Sequence, residues 1–265
     1  IVHNFKFTSG ETMPELRLHY RTLGKAVRDA KGVTQNAVVI MHGTTGSGAQ
    51  FIRPEFAGEL FGPGQSLDTT KFFIVLPDDI GHGKSSKPSD GMHAKFPRYG
   101  YRDMVEAEYQ LLTEGLGVNH ARLIMGTSMG GMHTWLWGEI HPEFMDALMP
   151  LASLPTQISG RNRAWRRIVI DAIRNNPAWN GGDYSAPPAK GLEAFGMVWA
   201  GWLYSQEWWR RELWRATSAP GTTFEQVWQS FRRRFSADAN DYILQARTWQ
   251  RHDVGTTPGF NGDTE

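Results

Sequence analysis

The sequence predicts an α/β fold, with a mainly parallel central sheet in its first half and a helical cap after it. Three observations carry this expectation. Short, wholly apolar runs recur through the first 156 residues, with helix-like stretches between them. No strand-like run appears between 157 and about 250. Nine of the 11 Trp fall between positions 165 and 249, so composition shifts where the strand pattern stops. At 265 residues and 40% hydrophobic, the chain suits one large domain, or a core domain with a long insertion.

The elements follow in order. Residues 16–22 (LRLHYRT) alternate with period two and stop at Gly24, as an early antiparallel strand would. The runs 36–41 (NAVVIM), 72–76 (FFIVL) and 121–125 (ARLIM) are halted by His42 and Gly43, by 77–79 (PDD) and by Gly126. A fourth run, 147–152 (ALMPLA), is weakened by Pro150. Such runs are what a parallel sheet buried on both faces shows. Residues 102–116 read as a covering helix, with Met104, Val105, Leu111, Leu112 and Leu116 on one face and Gly117 ending it.

Further on, 161–173, 191–216 and 224–235 read as helices, interrupted at Pro177, at Pro187 and Pro188, and at Pro220. Residues 1–156 are therefore expected to form the core, 157–250 a cap or lid over a pocket, and 251–265 the start of a return to the core. An ordinary helical subdomain whose aromatics are only core is the alternative for the middle part.

Composition excludes several classes. Twenty-eight Lys and Arg against 27 Asp and Glu leave +1, which argues against a nucleic-acid partner. No apolar run approaches the roughly 18–20 residues that span a bilayer, so no membrane partner is expected. The absence of Cys excludes disulfides, a thiol nucleophile and thiolate metal sites. No metal and no cofactor are expected. The chain opens Ile1-Val2-His3 without Met, for which a cleaved secretory signal and a trimmed start are equal explanations. Together with the lack of Cys, this favours a periplasmic or secreted location slightly over the cytoplasm.

The strongest chemical signal is Gly126-Thr127-Ser128-Met129-Gly130, a G-x-S-x-G directly after an expected strand and before an expected helix. A strand that turns into a helix within one residue lifts the Ser128 hydroxyl above the sheet as a nucleophile. It leaves no room for side chains at 126 and 130, and it aims the Met129 amide at a developing oxyanion. The loop after the first central strand offers a second oxyanion donor, the Thr44 amide. His42 reads as a brace for that loop rather than a general base. Asp79 and His82 read as structural residues of a loop near the pocket mouth. His133 lies on the helix behind the nucleophile and reads as packing.

With these residues in hand, the chain resembles the α/β-hydrolase superfamily, and within it the homoserine O-acetyltransferase-like branch, over nearly its whole length. The resemblance rests on LRLHYRTLG at 16–24, GPG at 62–64 with LDTTKFF at 67–73, and YRDMV at 101–105. It rests further on GTSMGGM at 126–132, Ala172 and Ile173 with NPAW at 176–179, and RHDV at 251–254. It implies an α/β-hydrolase fold, acylation of Ser128 by an acyl-CoA, and passage of the acyl group to a hydroxyl acceptor such as homoserine. It also implies a homodimer through the cap. Two loops depart from the transferase pattern: 79–86 (DIGHGKSS) and His42-Gly43-Thr44 look like those of general hydrolases.

Water is therefore expected as acceptor, making the protein a serine hydrolase (esterase-like) on a small acyl ester. An O-acyltransferase using acyl-CoA as substrate is the alternative, and a non-catalytic binding protein the third reading. The superfamily order Ser, then Asp or Glu, then His places both triad partners beyond the cap, outside residues 1–265. Two further strand–helix units would need about 60–90 residues. They are expected as a C-terminal remainder of the same polypeptide, possibly a separate chain. His252 and Asp253 are the late acid and base candidates, but neighbours on an extended segment point opposite ways.

Overall fold

A computed structural model describes residues 1–258; the last seven residues of the expected 251–265 return segment lie outside them. Strands β1 (Val2–Lys6) and β2 (Thr12–Leu16) form an antiparallel hairpin. The central sheet comprises β3 (Tyr20–Leu23), β4 (Ala37–Met41), β5 (Phe73–Pro77), β6 (Leu123–Thr127) and β7 (Leu148–Leu151). Its order is β3-β5-β4-β6-β7, antiparallel only at β3. Val39 pairs with Val75 on one side and Ile124 on the other, and every residue of β4 is buried. The order reverses at β4, so the crevice off the C-terminal ends of β4 and β6 is where such sheets place ligands.

The sheet follows the apolar runs, but the first expected strand is divided. Leu16 ends β2 and Tyr20 begins β3. Between them the Arg17 and His19 amides donate to the Ser86 and Ser85 hydroxyls, so the chain pairs with a loop there. Helix α1 (Pro54–Leu60) is not expected from the sequence: it is short, and its apolar residues Phe56, Ala57 and Leu60 pack only partly buried against the core. Helix α2 (Tyr101–Gln110) continues into a π-turn, Leu111–Gly115, over the expected span. Helix α3 (Met129–Ile140) packs beside it, and the Trp137 indole N–H donates 2.8 Å to Glu108.

Beyond β7 the described residues are helical: α4 (Gly160–Arg174), α5 (Ala189–Leu203), α6 (Gln206–Arg210), α7 (Phe224–Arg232) and α8 (Ala239–Gln250). The expected 191–216 helix breaks because Ser205 caps α6, accepting from the Trp208 amide, and Glu212 turns left-handed at φ 49°. Helix α8 was not anticipated from the sequence; its cap is Asp238, which accepts from the Asn240 amide. Val169, Ile173, Leu192, Phe195 and Ile243 give α4, α5 and α8 a core of their own.

Helix α8 fastens this layer to the sheet-bearing part. Asp241 accepts from the Ser89 amide and hydroxyl, Gln245 donates to the Gly81 carbonyl, and Thr248 to the Tyr99 carbonyl. Among the described residues no helix is long and apolar enough to cross a membrane.

Candidate active site

Ser128 stands between β6 and α3 at φ 55°, ψ −111°. A non-glycine residue held there costs about 1–3 kcal/mol and persists only where the surroundings over-determine it. They do so here. The Ser128 amide donates to the Leu151 carbonyl at 2.9 Å and the Gly130 amide to the His42 carbonyl at 3.0 Å. A Cβ on Gly126 would overlap the Gly130 carbonyl, and one on Gly130 would overlap the Met41 carbonyl. The turn therefore needs glycine on both sides of the serine, which is half-buried.

The loop after β4 runs beside it. A Cβ built on Gly43 would lie 3.5 Å from the Ser128 Cβ. Thr44 follows, half-buried. The Met129 and Thr44 amides donate to no other described residue, and Met129 opens α3, where the helix dipole is positive.

His42 is fully buried and braces this loop. Its Nδ1–H donates to the Gly43 carbonyl at 2.8 Å, and its Nε2 accepts from the Asp79 amide at 3.1 Å. Burial pulls its pKa down to about 4, so it remains neutral at physiological pH. His82 is buried as well, donating from Nδ1 to the Ile80 carbonyl at 3.0 Å. The 79–86 loop packs against α8, where Gln245 donates to the Gly81 carbonyl.

His133 is more than packing. Its Nδ1 lies 3.7 Å from both Asp79 Oδ2 and Glu108 Oε1, with Tyr101 edge-on against its ring. Burial and the neighbouring Glu108 push Asp79 well above the usual carboxylate range, which favours its protonated form. These three are the residues whose ligand atoms, within 4.8 Å of one another, could hold a cation.

His252 donates from Nε2 to the Leu154 carbonyl at 3.2 Å and packs on Tyr101. Burial pulls it down to about 4. Asp253 caps the turn Val254–Thr256 by accepting from the Gly255 amide. Among the described residues no histidine hydrogen-bonds Ser128.

Over Thr44 and Thr45 lies a cleft of about 390 Å³, open mouth included, walled by aromatic residues of α4, α5 and α8. Its walls include Trp199, Trp202, Trp249 and Arg166. The sequence marked the aromatics only as a group and did not single out Arg166 or Tyr101, whose hydroxyl faces the Thr44 side chain. Five arginines share α4, and only the fold shows which one turns inward.

Residues 36–256 match the family model described as alpha/beta hydrolase fold. The homoserine O-acetyltransferase of Thermobifida fusca is 37% identical over 199 residues, 69% of this chain and 50% of that protein. That of Chlorobium luteolum is 34% identical over 269 residues, 95% of this chain and 71% of its own length. The chain thus spans half to about seven-tenths of these relatives.

Among solved structures, the acetyl esterase MekB superposes with a TM-score of 0.85 at 27% identity, covering 98% of this chain and 73% of that one. An acetylester hydrolase from Corynebacterium glutamicum superposes at 0.84 and 26%, covering 96% of this chain and 72% of its own. Fold, turn geometry and sequence relatives agree: the chain belongs to the alpha/beta hydrolase fold family of hydrolases and acyltransferases, in its homoserine O-acetyltransferase-like branch.

Proposed function

We propose that this chain carries the nucleophile of a serine hydrolase that cleaves small acyl esters through an acyl-enzyme on Ser128. The observation that carries the reading is the strained Ser128 conformation, φ 55° at a strand-to-helix turn, retained between two glycines that tolerate no side chain. Ser128 Oγ attacks the acyl carbon, its proton passes to a general base, and the alcohol leaves protonated. The Met129 and Thr44 amides hold the oxyanion. Water then attacks the acyl carbon and frees Ser128.

The helices of 157–250 act as the cap, and the aromatic cleft above Thr44 receives the substrate. The base and its acid come from polypeptide outside residues 1–265. This is supported by the engagement of His42, His82 and His252 with backbone groups, and by relatives longer than this chain.

Hydrolysis is placed before transfer because the sequences of the 79–86 loop (DIGHGKSS) and of His42-Gly43-Thr44 look like those of general hydrolases. The acyl-transfer reading is favoured by one observation, the 34–37% identity to proteins named homoserine O-acetyltransferase. The test is turnover of p-nitrophenyl acetate by the complete polypeptide and by Ser128→Ala. Loss of several orders of magnitude in kcat is expected of the variant. Retained turnover would overturn the reading.

A further inference from the structure

Arg166 is the anomaly of the cleft. It projects from α4, is only 3% exposed, and pairs with no carboxylate among the described residues. Its guanidinium carbon lies over Trp249, 3.1 Å from the ring centroid, with Trp202 at 5.3 Å. Nη1 donates to the Asn162 carbonyl at 2.7 Å and also to the Asn162 side chain. Nε and Nη2, which carry parallel N–H bonds along the other edge, are buried without an acceptor. That edge is the fork that matches the two oxygens of a carboxylate.

A buried charge left without a partner is costly, and proteins keep one where a ligand completes it. The cleft that Arg166 lines also contains Thr44, and none of its lining residues is acidic. Close contact with two indoles and the bonds to Asn162 restrain the guanidinium, so the free edge is held rather than searching for its partner. Burial lowers the Arg166 pKa only to about 9, leaving it protonated at neutral pH.

We propose that Arg166 is a substrate-anion site: its Nε–Nη2 edge binds a carboxylate carried by the ester that acylates Ser128. The preferred substrate is then a small acyl ester with a free carboxylate, not a neutral one. This rests on the acyl-ester reading above and names the substrate class for the same site.

The test compares p-nitrophenyl hydrogen glutarate with p-nitrophenyl pentanoate, which share a chain length and differ in the carboxylate, on the complete polypeptide. The wild-type protein is expected to favour the anionic ester in kcat/KM. Arg166→Met should lower the ratio of anionic to neutral kcat/KM by about 100-fold, with Arg166→Lys recovering about tenfold of it. A wild-type ratio at or below one, unchanged in Arg166→Met, would overturn the proposal.

Wild-type protein alone provides a second measurement should the variants fail to fold. Monomethyl glutarate should quench the cleft tryptophans saturably at lower concentration than methyl pentanoate does. Equal quenching by the two would also overturn it. If Ser128→Ala still hydrolyses both esters, the acyl-enzyme reading fails, and the quenching comparison still decides the role of Arg166.

Discussion

Gly130 sits so close to Met41 that a methyl group on it would collide with the Met41 carbonyl oxygen. This approach seats the first turn of α3 on the central strand β4 and presses the Ser128 turn against the 42–44 loop. The Gly130 amide, donating to His42, fixes the same distance from the other side.

Gly130→Ala is accordingly expected to destabilise the fold by about 3 kcal/mol, because backbone rather than a flexible side chain must yield. Urea unfolding measures it. A loss below roughly 0.5 kcal/mol, the size of a neutral surface change, would show that the turn has slack.

Asp79→Asn should alter the pH dependence of stability in a defined direction. The folded-state pKa of Asp79 is raised, so above its unfolded value of about 3.9 the folded state holds a proton that the unfolded state has released. Its contribution is therefore complete at low pH and declines as pH rises towards the folded value. Asparagine cannot titrate, so stability of the variant minus that of wild type should rise as pH climbs above about 4, by at most about 1.4 kcal/mol per pH unit, and level off once the folded-state value is passed. A difference that stays flat with pH across urea titrations would contradict the raised Asp79.

Hydrolysis is expected to outpace transfer. Acetyl-CoA or p-nitrophenyl acetate is supplied with and without L-homoserine, and product release is followed. Release that proceeds equally without homoserine fits the hydrolase. CoA release strictly dependent on homoserine would make the acyltransferase reading the correct one.

The histidines seen here are expected to be dispensable as bases. His252→Gln should change kcat by less than about tenfold, whereas losing a triad base costs on the order of 10⁴-fold or more. Mass spectrometry of the active sample under denaturing conditions should reveal the missing base, on a longer polypeptide or on a second one of roughly 7–10 kDa. Activity from residues 1–265 alone, abolished by His252→Gln, would place the base within the described fold.

The sheet was legible because strands buried on both faces leave uninterrupted apolar runs, as 37–41 (AVVIM) does for β4. The Ser128 turn was legible because its steric demand is written as two glycines at fixed spacing. Helix α1 left little trace, being short, with Phe56, Ala57 and Leu60 only partly buried. The Asp79–Glu108–His133 cluster joins positions far apart in sequence, so no local pattern announces it. Arg166 is one of several arginines on α4, and only its stacking on Trp249 distinguishes it.

The central claim is that Ser128 is the nucleophile. Its most direct test is treatment of the complete polypeptide with a fluorophosphonate, followed by peptide mapping of the adduct. The account predicts a single adduct on Ser128, absent from Ser128→Ala and accompanied by loss of esterase activity. An adduct elsewhere, or full activity with Ser128 replaced, would contradict it.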